Sequence, residues 1–333
     1  MLHPAAIAIA TLILCLAAAL AWIWGANWLL DRILPPRGTA ISRNIRRAAL
    51  IRPWLFLGPA LLFLSAFLIY PALGTIWLSF HGPDGKAFTG LANHAWLWRD
   101  GAVRQAALNT GLWLLVVPAA ATALGLVGAA LTDTLRWGGL ARILIFLPVA
   151  VSGAAAAVIW KFVLDFRPLG APQTGLLNAL VTWAGGTPQP WIAQPIVNTL
   201  FLMAIVVWTQ TGFAMVILSA ALRAVPGDTV EAARLDGATD LQVFLWIRVP
   251  QIRGPITAVW LAMTLVVLKV FDIVLALTNG QWNSNVLANL MFSWMFRGGG
   301  DFGRGAVLAL ALMALVLPIL VATLQGGART RKD

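Results

Sequence analysis

The chain has 333 residues, of which 60% are apolar and only 11% charged, with a mean hydropathy of +0.84. A soluble domain carries about 25% charge, so this composition excludes a soluble globular protein and predicts a polytopic membrane protein. A net charge of +11 suggests nucleic acid until the basic residues are seen to be spread over separate loops, and a single cysteine, Cys15, excludes an internal disulfide.

Residues 1–30 carry no charge, and residues 5–30 are long enough to cross a bilayer at about 1.5 Å per residue. A signal peptide would need a basic start and a short apolar core. Here the basic residues come after the segment: Arg32, Arg37, Arg43, Arg46, Arg47 and Arg52. Further apolar runs cover roughly 53–80, 107–131, 142–161, 196–222, 256–276 and 304–325. Pro71, Pro118 and Pro148 do not cancel them, because membrane helices tolerate proline. The expected fold is an all-α polytopic membrane protein with about seven transmembrane helices.

Alternation of these spans assigns the connecting segments to two sides. Segments 31–52, 132–142, 223–255 and 326–333 carry 6, 2, 4 and 3 basic residues, against 3, 2 and 2 in 81–106, 161–195 and 277–304. Basic residues are retained in the cytoplasm, so the count predicts an outside N-terminus and an inside C-terminus. It also explains the high pI through loops that meet an anionic leaflet, which implies membrane lipid and no nucleic acid as a partner.

The outer segments have features of their own. WLWRDGAVRQAALNT (96–110) reads as a short interfacial helix, and TWAGGTPQPWIAQP (182–195) places Trp183 and Trp191 where indoles anchor at the headgroups. Seventeen tryptophans suggest a carbohydrate platform, but interfacial anchoring accounts for most of them.

VPGDTVEAARLDGATDLQVFLWIRVPQIRGP (225–255) is the long polar interruption. Pro226 and Gly227 break the preceding span, Asp228 is expected to cap a helix over about 229–235, and Gly237 suits a left-handed C-terminal position. Thr239 and Gln242 have capping-box spacing for a second helix over about 240–248, which Pro250 should end. Leu241, Phe244, Leu245 and Ile247 give it an apolar side. Such a helix–turn–helix could lie passively at the interface or dock on something outside the membrane. The apolar side fits either reading, while the cluster of Glu231, Arg234, Asp236 and Asp240 favours docking.

EAARLDGATDLQVFLWIRVPQIRGP resembles the EAA motif of the inner-membrane permease subunits of bacterial ABC importers, with Glu231, Ala232, Ala233, Asp236, Gly237, Ala238, Phe244, Ile247, Pro250 and Pro255 in matching places. WTQTGFAMVILSAAL (208–222), LKVFDIVLALTNG (268–280) and DFGRGAVLALALM (301–313) are similar to segments of the sugar-importer branch, and more closely to α-glucoside permeases. The resemblance implies a type I permease-like core over 53–325, an extra N-terminal helix with its basic loop over 1–52, a coupling loop at 223–255 and a tail at 326–333. It also implies that Glu231, Ala232, Ala233, Arg234, Asp236 and Gly237 couple to an ATPase. The implied partners are two ATP-binding subunits, which hold ATP and Mg, a second homologous permease and an extracytoplasmic sugar-binding protein. TNGQWNSN (278–285) departs from the Gly-Gly-Pro ending common in the family, and the outer loops are too short for a large folded insert.

Other chemistry is missing from the sequence. FRGGGDFGRG (296–305) lacks the lysine of a phosphate loop, and His3, His81 and His94 are scattered without ligand spacing, so an enzyme or a metal site is not expected. This chain is expected to bind no cofactor itself. Trp208, Gln210 and Thr211 cluster within an apolar run, where they could contact a sugar or could serve as helix–helix contacts beside Gly212. Lys269 and Asp272 are three residues apart, which on one helix puts them on one side, either paired with each other or lining a path. An ion-gradient transporter is the rival reading, although it should show repeats and an ion site. A membrane scaffold without transport is a third.

Overall fold

A computed structural model describes residues 4–35, 41–168, 170–298 and 300–329. Arg37, Arg331 and Lys332, which entered the charge count, lie outside the described residues. The described chain is all-α apart from one isolated antiparallel bridge, His81–Phe88. Its helices are α1 (Pro4–Ile33), α2 (Ile41–Ser79), α3 (Ala92–Arg99), α4 (Gly101–Thr134), α5 (Gly138–Ala150), α6 (Gly153–Val163) and α7 (Leu176–Trp183). They continue with α8 (Val197–Arg223), α9 (Gly227–Leu235), α10 (Asp240–Gln251), α11 (Arg253–Leu268), α12 (Asp272–Leu277), α13 (Leu287–Phe296) and α14 (Phe302–Arg329).

The chain divides into two units, Met1–Gly74 and Thr75–Asp333. In the first, Trp22 Nε1 donates to the Leu55 carbonyl at 3.0 Å and Asn44 Nδ2 to the Pro35 carbonyl at 3.1 Å. The most apolar stretches of α1 and α2 bury no residue inside the protein. Apolar surface of this extent without protein cover is what a bilayer solvates. At 1.5 Å per residue α1 is about 45 Å long, enough to cross. The segment 41–52, expected as loop, is already helical. Within α2 a π turn at Ser65–Ile69 precedes Pro71, with the Tyr70 N–H bonded to the Ser65 carbonyl. The wider turn accommodates a proline that would otherwise break the helical ladder.

The second unit is built around α4 and α8. Gly125 faces Ala214 and Met215, where a Cβ would collide with backbone, so the two helices approach closely through that glycine. Trp113, Val117, Ala121, Leu202, Ile205 and Met215 bury this seam, and Val259, Met263 and Val267 of α11 close it. Gly212 of α8 meets the backbone of Ile145 and Phe146 in α5 in the same manner. A smaller cluster, Val103, Ala106, Leu287, Leu290 and Leu308, joins α4, α13 and α14.

Among the described residues, four helices are long and apolar enough to cross a membrane, or six if each of two bent pairs is one span, against the seven expected. The second bent pair is α10 with α11, at 72°, and α14 is left out because its apolar stretch, Phe302–Pro318, is shorter; two of the expected runs are also broken. The run 142–161 is α5 plus α6, bent by 105° where Val151 and Ser152 leave the helix and Ser152 Oγ caps the new one through Ala155 N–H. The run 256–276 ends as α11 at Leu268 and restarts as α12 at Asp272. The expected interfacial helix at 96–110 is also two pieces, because the Asp100 carboxylate accepts from the Ala102 and Val103 N–H groups and starts α4 there.

Candidate functional site

The polar interruption forms a helix–turn–helix, α9 and α10. Pro226, with φ −57°, occupies the N-cap position of α9 and offers no side-chain acceptor. Asp228, expected as the cap, instead lies in the first turn, where its charge still favours the helix dipole. The C-terminus closes on Gly237, at φ +87°. Gly237 N–H donates to Arg234 O and Ala238 N–H to Ala233 O, each at 3.0 Å, which is the Schellman pairing. Thr239 and Gln242 then make the expected capping box: Gln242 Oε1 accepts from Thr239 N–H at 2.8 Å, and Thr239 Oγ1 from Gln242 N–H at 3.4 Å.

Pro250 does not end α10, which runs to Gln251. A π turn at Val243–Arg248, with Val249 N–H bonded to Phe244 O, absorbs the proline as the turn before Pro71 does. The wider turn also shifts the helical phase and corrects the expected apolar side. Val243 is buried and Phe244 and Ile247 half-buried, while Leu241 and Leu245 are exposed.

What remains outward is unusual for a polar loop. Leu235 is 83% exposed, Trp246 78% and Leu241 66%. A groove of about 430 Å³ lies among Asp236, Gly237, Ala238, Gln242 and Trp246. Arg234 pairs with Asp240 at 2.8 Å across open solvent, which contributes little. Glu231 is exposed and has no ion pair among the described residues. An exposed indole and leucines beside a free carboxylate form a surface suited to a protein partner.

The second set of candidates lies in the helical body. Trp208 and Thr211 border a groove of about 640 Å³ between α4, α5 and α8, together with Leu124, Gly128, Ile145 and Pro148. Trp208 packs edge-on against Trp160 of α6, with ring centroids 5.8 Å apart. Thr211 Oγ1 is bonded to Val207 O at 2.7 Å, so its hydroxyl proton is already used. Gln210 is half-buried and its side chain makes no hydrogen bond among the described residues, leaving its amide available. The close approach at Gly212 is real, so helix contact and groove coexist on α8.

Lys269 and Asp272 do not share a helix face, because Val270 and Phe271 separate α11 from α12. They form no ion pair either. Lys269 borders an apolar groove of about 410 Å³ with Phe271, Phe292 and Met313. The Asp272 carboxylate lies against Gly153 at the start of α6, so closely that a Cβ there would collide with it. A carboxylate beside a helix N-terminus is electrostatically favoured. Sequence reasoning missed Trp160 and Gly153. The run Pro148–Ser152–Gly153, a breaker followed by an N-cap residue and a small one, could have revealed the second.

The chain is similar to known proteins in sequence and in fold. The family model for the binding-protein-dependent transport system inner membrane component matches residues 91–331. The chain is 55% identical over 325 residues to the alpha-glucoside transport system permease protein AglF of Rhizobium meliloti, covering 97% of each chain. It is 44% identical over 271 residues to the osmoprotective compounds uptake permease protein GgtC of Synechocystis, covering 81% of this chain and 97% of that one. In fold it is similar to a chain of a crystallised bacterial ABC transporter involved in import of the acidic polysaccharide alginate, with TM-score 0.71 and 19% identity over 88% of this chain and 98% of that one. The chain therefore belongs to the binding-protein-dependent transport system inner membrane components, as a non-catalytic, translocation-path subunit of an ATP-driven importer.

Proposed function

We propose that this chain is the permease of a sugar importer and that its cargo is an oligosaccharide of the α-glucoside class. The observation that carries the reading is the 55% identity to an alpha-glucoside permease along 97% of both chains. In this reading the chain crosses the membrane seven times, with the N-terminus outside and the C-terminus inside, through α1, α2, α4, α5–α6, α8, α11–α12 and α14. The basic loops support that orientation. The core over 53–325 then follows an N-terminal anchor and basic loop (1–52) and precedes a short tail (326–333).

A loaded extracytoplasmic sugar-binding protein delivers the cargo to this chain and a second homologous permease. Two ATP-binding subunits, which hold ATP and Mg, dock on α9–α10 at Glu231, Ala232, Ala233, Arg234, Asp236 and Gly237. Their closure pushes this rigid loop, and the spans reorient. Trp208, Gln210 and Thr211 line the path, Trp208 for a sugar face and the Gln210 amide for hydroxyls, with Lys269 and Asp272 further along it. The ion-gradient alternative has no support, because family membership supplies a different energy source.

The test is uptake of radiolabelled maltose, trehalose, sucrose and glucosylglycerol in cells with and without the chain. Loss of α-glucoside uptake on deletion is expected, and unchanged uptake of the three disaccharides overturns the cargo assignment. In the same assay Gln210→Ala should lower transport of some sugars by about 1–3 kcal/mol more than others; uniform loss together with lost assembly would instead make Gln210 a helix contact. Impermeant thiol labelling of single cysteines at positions 90 and 175, but not at 232, in a Cys15→Ser background checks the orientation.

A further inference from the structure

One carboxylate oxygen, Oδ1 of Asp133, holds the inner ends of three helices together. Asp133 lies in the last turn of α4. Its Oδ1 accepts from Arg142 Nη2 of α5 in a close ion pair, from Arg223 Nε of α8 at 3.3 Å and from Ser219 Oγ of α8 at 3.4 Å. Arg223 Nη2 also donates to Ser219 Oγ at 3.0 Å, and Arg142 Nε to Thr132 Oγ1 at 3.3 Å. The side chains of Asp133 and Arg142 retain 24% and 29% of their accessibility and that of Arg223 retains 55%, so the first pair is the better shielded from solvent.

The position of this clasp matters more than its strength. Arg223 is the last residue of α8, and α9 begins at Gly227, so any push on α9 reaches Arg223 through three residues. On the other side, Arg142 lies one turn before Ile145 and Phe146, whose backbone abuts Gly212. Ile145 and Pro148 are walls of the groove that Trp208 and Thr211 border. A single charged atom thus connects the loop that receives the push to the helix that walls the path.

We infer that Asp133 is a positioning residue for transport, carrying displacement of α9 through Arg223 to α5 and so to the groove. The inference rests on the reading of α9–α10 as the ATPase-docking loop. A neutral Asp133→Asn side chain keeps the shape and one acceptor oxygen but removes the charge that holds both guanidinium groups. If the clasp transmits motion, hydrolysis continues while sugar movement fails. If it only tethers helix ends, both fail together.

The experiment uses the complete complex in proteoliposomes, with whichever of maltose, trehalose and sucrose the wild type takes up fastest. Uptake and binding-protein-stimulated ATP hydrolysis are measured on the same vesicles. For Asp133→Asn and Arg223→Ala the expected result is a normally assembled complex with stimulated hydrolysis largely kept. Sugar carried per ATP should fall about tenfold at unchanged KM, and Arg223→Lys should recover part of it. Parallel loss of uptake and hydrolysis, a wild-type ratio, or a change confined to KM overturns the inference alone, provided the wild type couples the two. A wild type whose hydrolysis ignores the loaded binding protein overturns the docking reading and this inference with it.

Discussion

The turn between α9 and α10 and the loop at 278–286 both use left-handed residues, yet only the second is also held by distant helices. The first uses Gly237 alone, at φ +87°, and its closing bonds stay local: Gly237 to Arg234, Ala238 to Ala233 and Thr239 to Gln242. The second uses Asn279, Gly280, Trp282 and Asn283, all at positive φ, and adds to its own local bonds, such as Gln281 N–H to Thr278 O and Ser284 Oγ to Thr278 Oγ1, a grip from far along the chain. Asn109 Nδ2 donates to Asn283 O at 2.6 Å and Asn285 O at 2.8 Å, Asn198 Nδ2 donates to Trp282 O at 3.0 Å, and Leu287 N–H donates to Thr110 Oγ1 at 3.0 Å. A turn that carries its own bonds keeps its shape when it moves, which suits the relay proposed for it. A loop whose carbonyls are held by α4 and α8 moves only with those helices.

The largest effect should come from breaking the distant grip. Asn109 is 8% exposed, and replacing it by alanine leaves two carbonyls without their donor. Asn109→Ala should cost about 2–3 kcal/mol and lower the unfolding midpoint of the detergent-solubilised complex. Asn109→Asp should do as badly, because a carboxylate cannot donate to a carbonyl. Asn198→Ala, which removes one such bond to the loop, should cost less. Wild-type unfolding of Asn109→Ala would mean that the loop holds itself, and the contrast would fail.

Gly237→Val attacks the local turn and should cost less. Nothing lies within 4 Å of a Cβ at this position, so the strain comes from the backbone alone. A β-branched residue at this φ costs about 1–2 kcal/mol, and the helix end can relieve it only by reorienting α10. Membrane insertion should therefore stay normal and the unfolding midpoint fall less than in Asn109→Ala, while binding-protein-stimulated ATP hydrolysis is lost. Gly237→Asn, which tolerates the left-handed region, should keep most of it. Full stimulation in Gly237→Val would remove the turn from the coupling path.

This contrast also explains what could be read from the sequence. Gly237, the capping box and most long apolar runs were legible because their signals lie within a few residues of the structure they set. Two of the prolines that end up inside helices, Pro71 and Pro250, read differently from the sequence: Pro71 falls in an apolar run long enough to override it, whereas Pro250 reads as a stop. The π turn that saves α10 leaves no local mark. The break between α11 and α12 was hidden for a similar reason. LKVFD reads as continuous apolar helix around two charges, and what lies opposite, Gly153 at the start of α6, is more than a hundred positions away. Asn109 and Asn198 carry no local signal, because their partners are backbone carbonyls, which a sequence does not distinguish. In the candidate site, the shape of the α9–α10 loop was therefore foreseeable, while the surroundings of Trp208, Lys269 and Asp272 depend on packing among α5, α6, α8 and α11.

The smallest effect tests whether the α9–α10 surface is outward-directed, as its local bonding suggests. Glu231 is exposed and unpaired among the described residues, so it contributes little to the chain's own stability. Glu231→Ala should leave the unfolding midpoint unchanged and weaken ATPase co-purification by under about 1 kcal/mol, the usual worth of a solvent-exposed ion pair. Because such a pair is screened, the difference between variant and wild type should shrink as salt is raised. Trp246→Ala, which removes an apolar contact, should keep its deficit at high salt. A lowered unfolding midpoint in Glu231→Ala would show that the carboxylate serves this chain rather than a partner. The local turn would then depend on the body as the distant loop does.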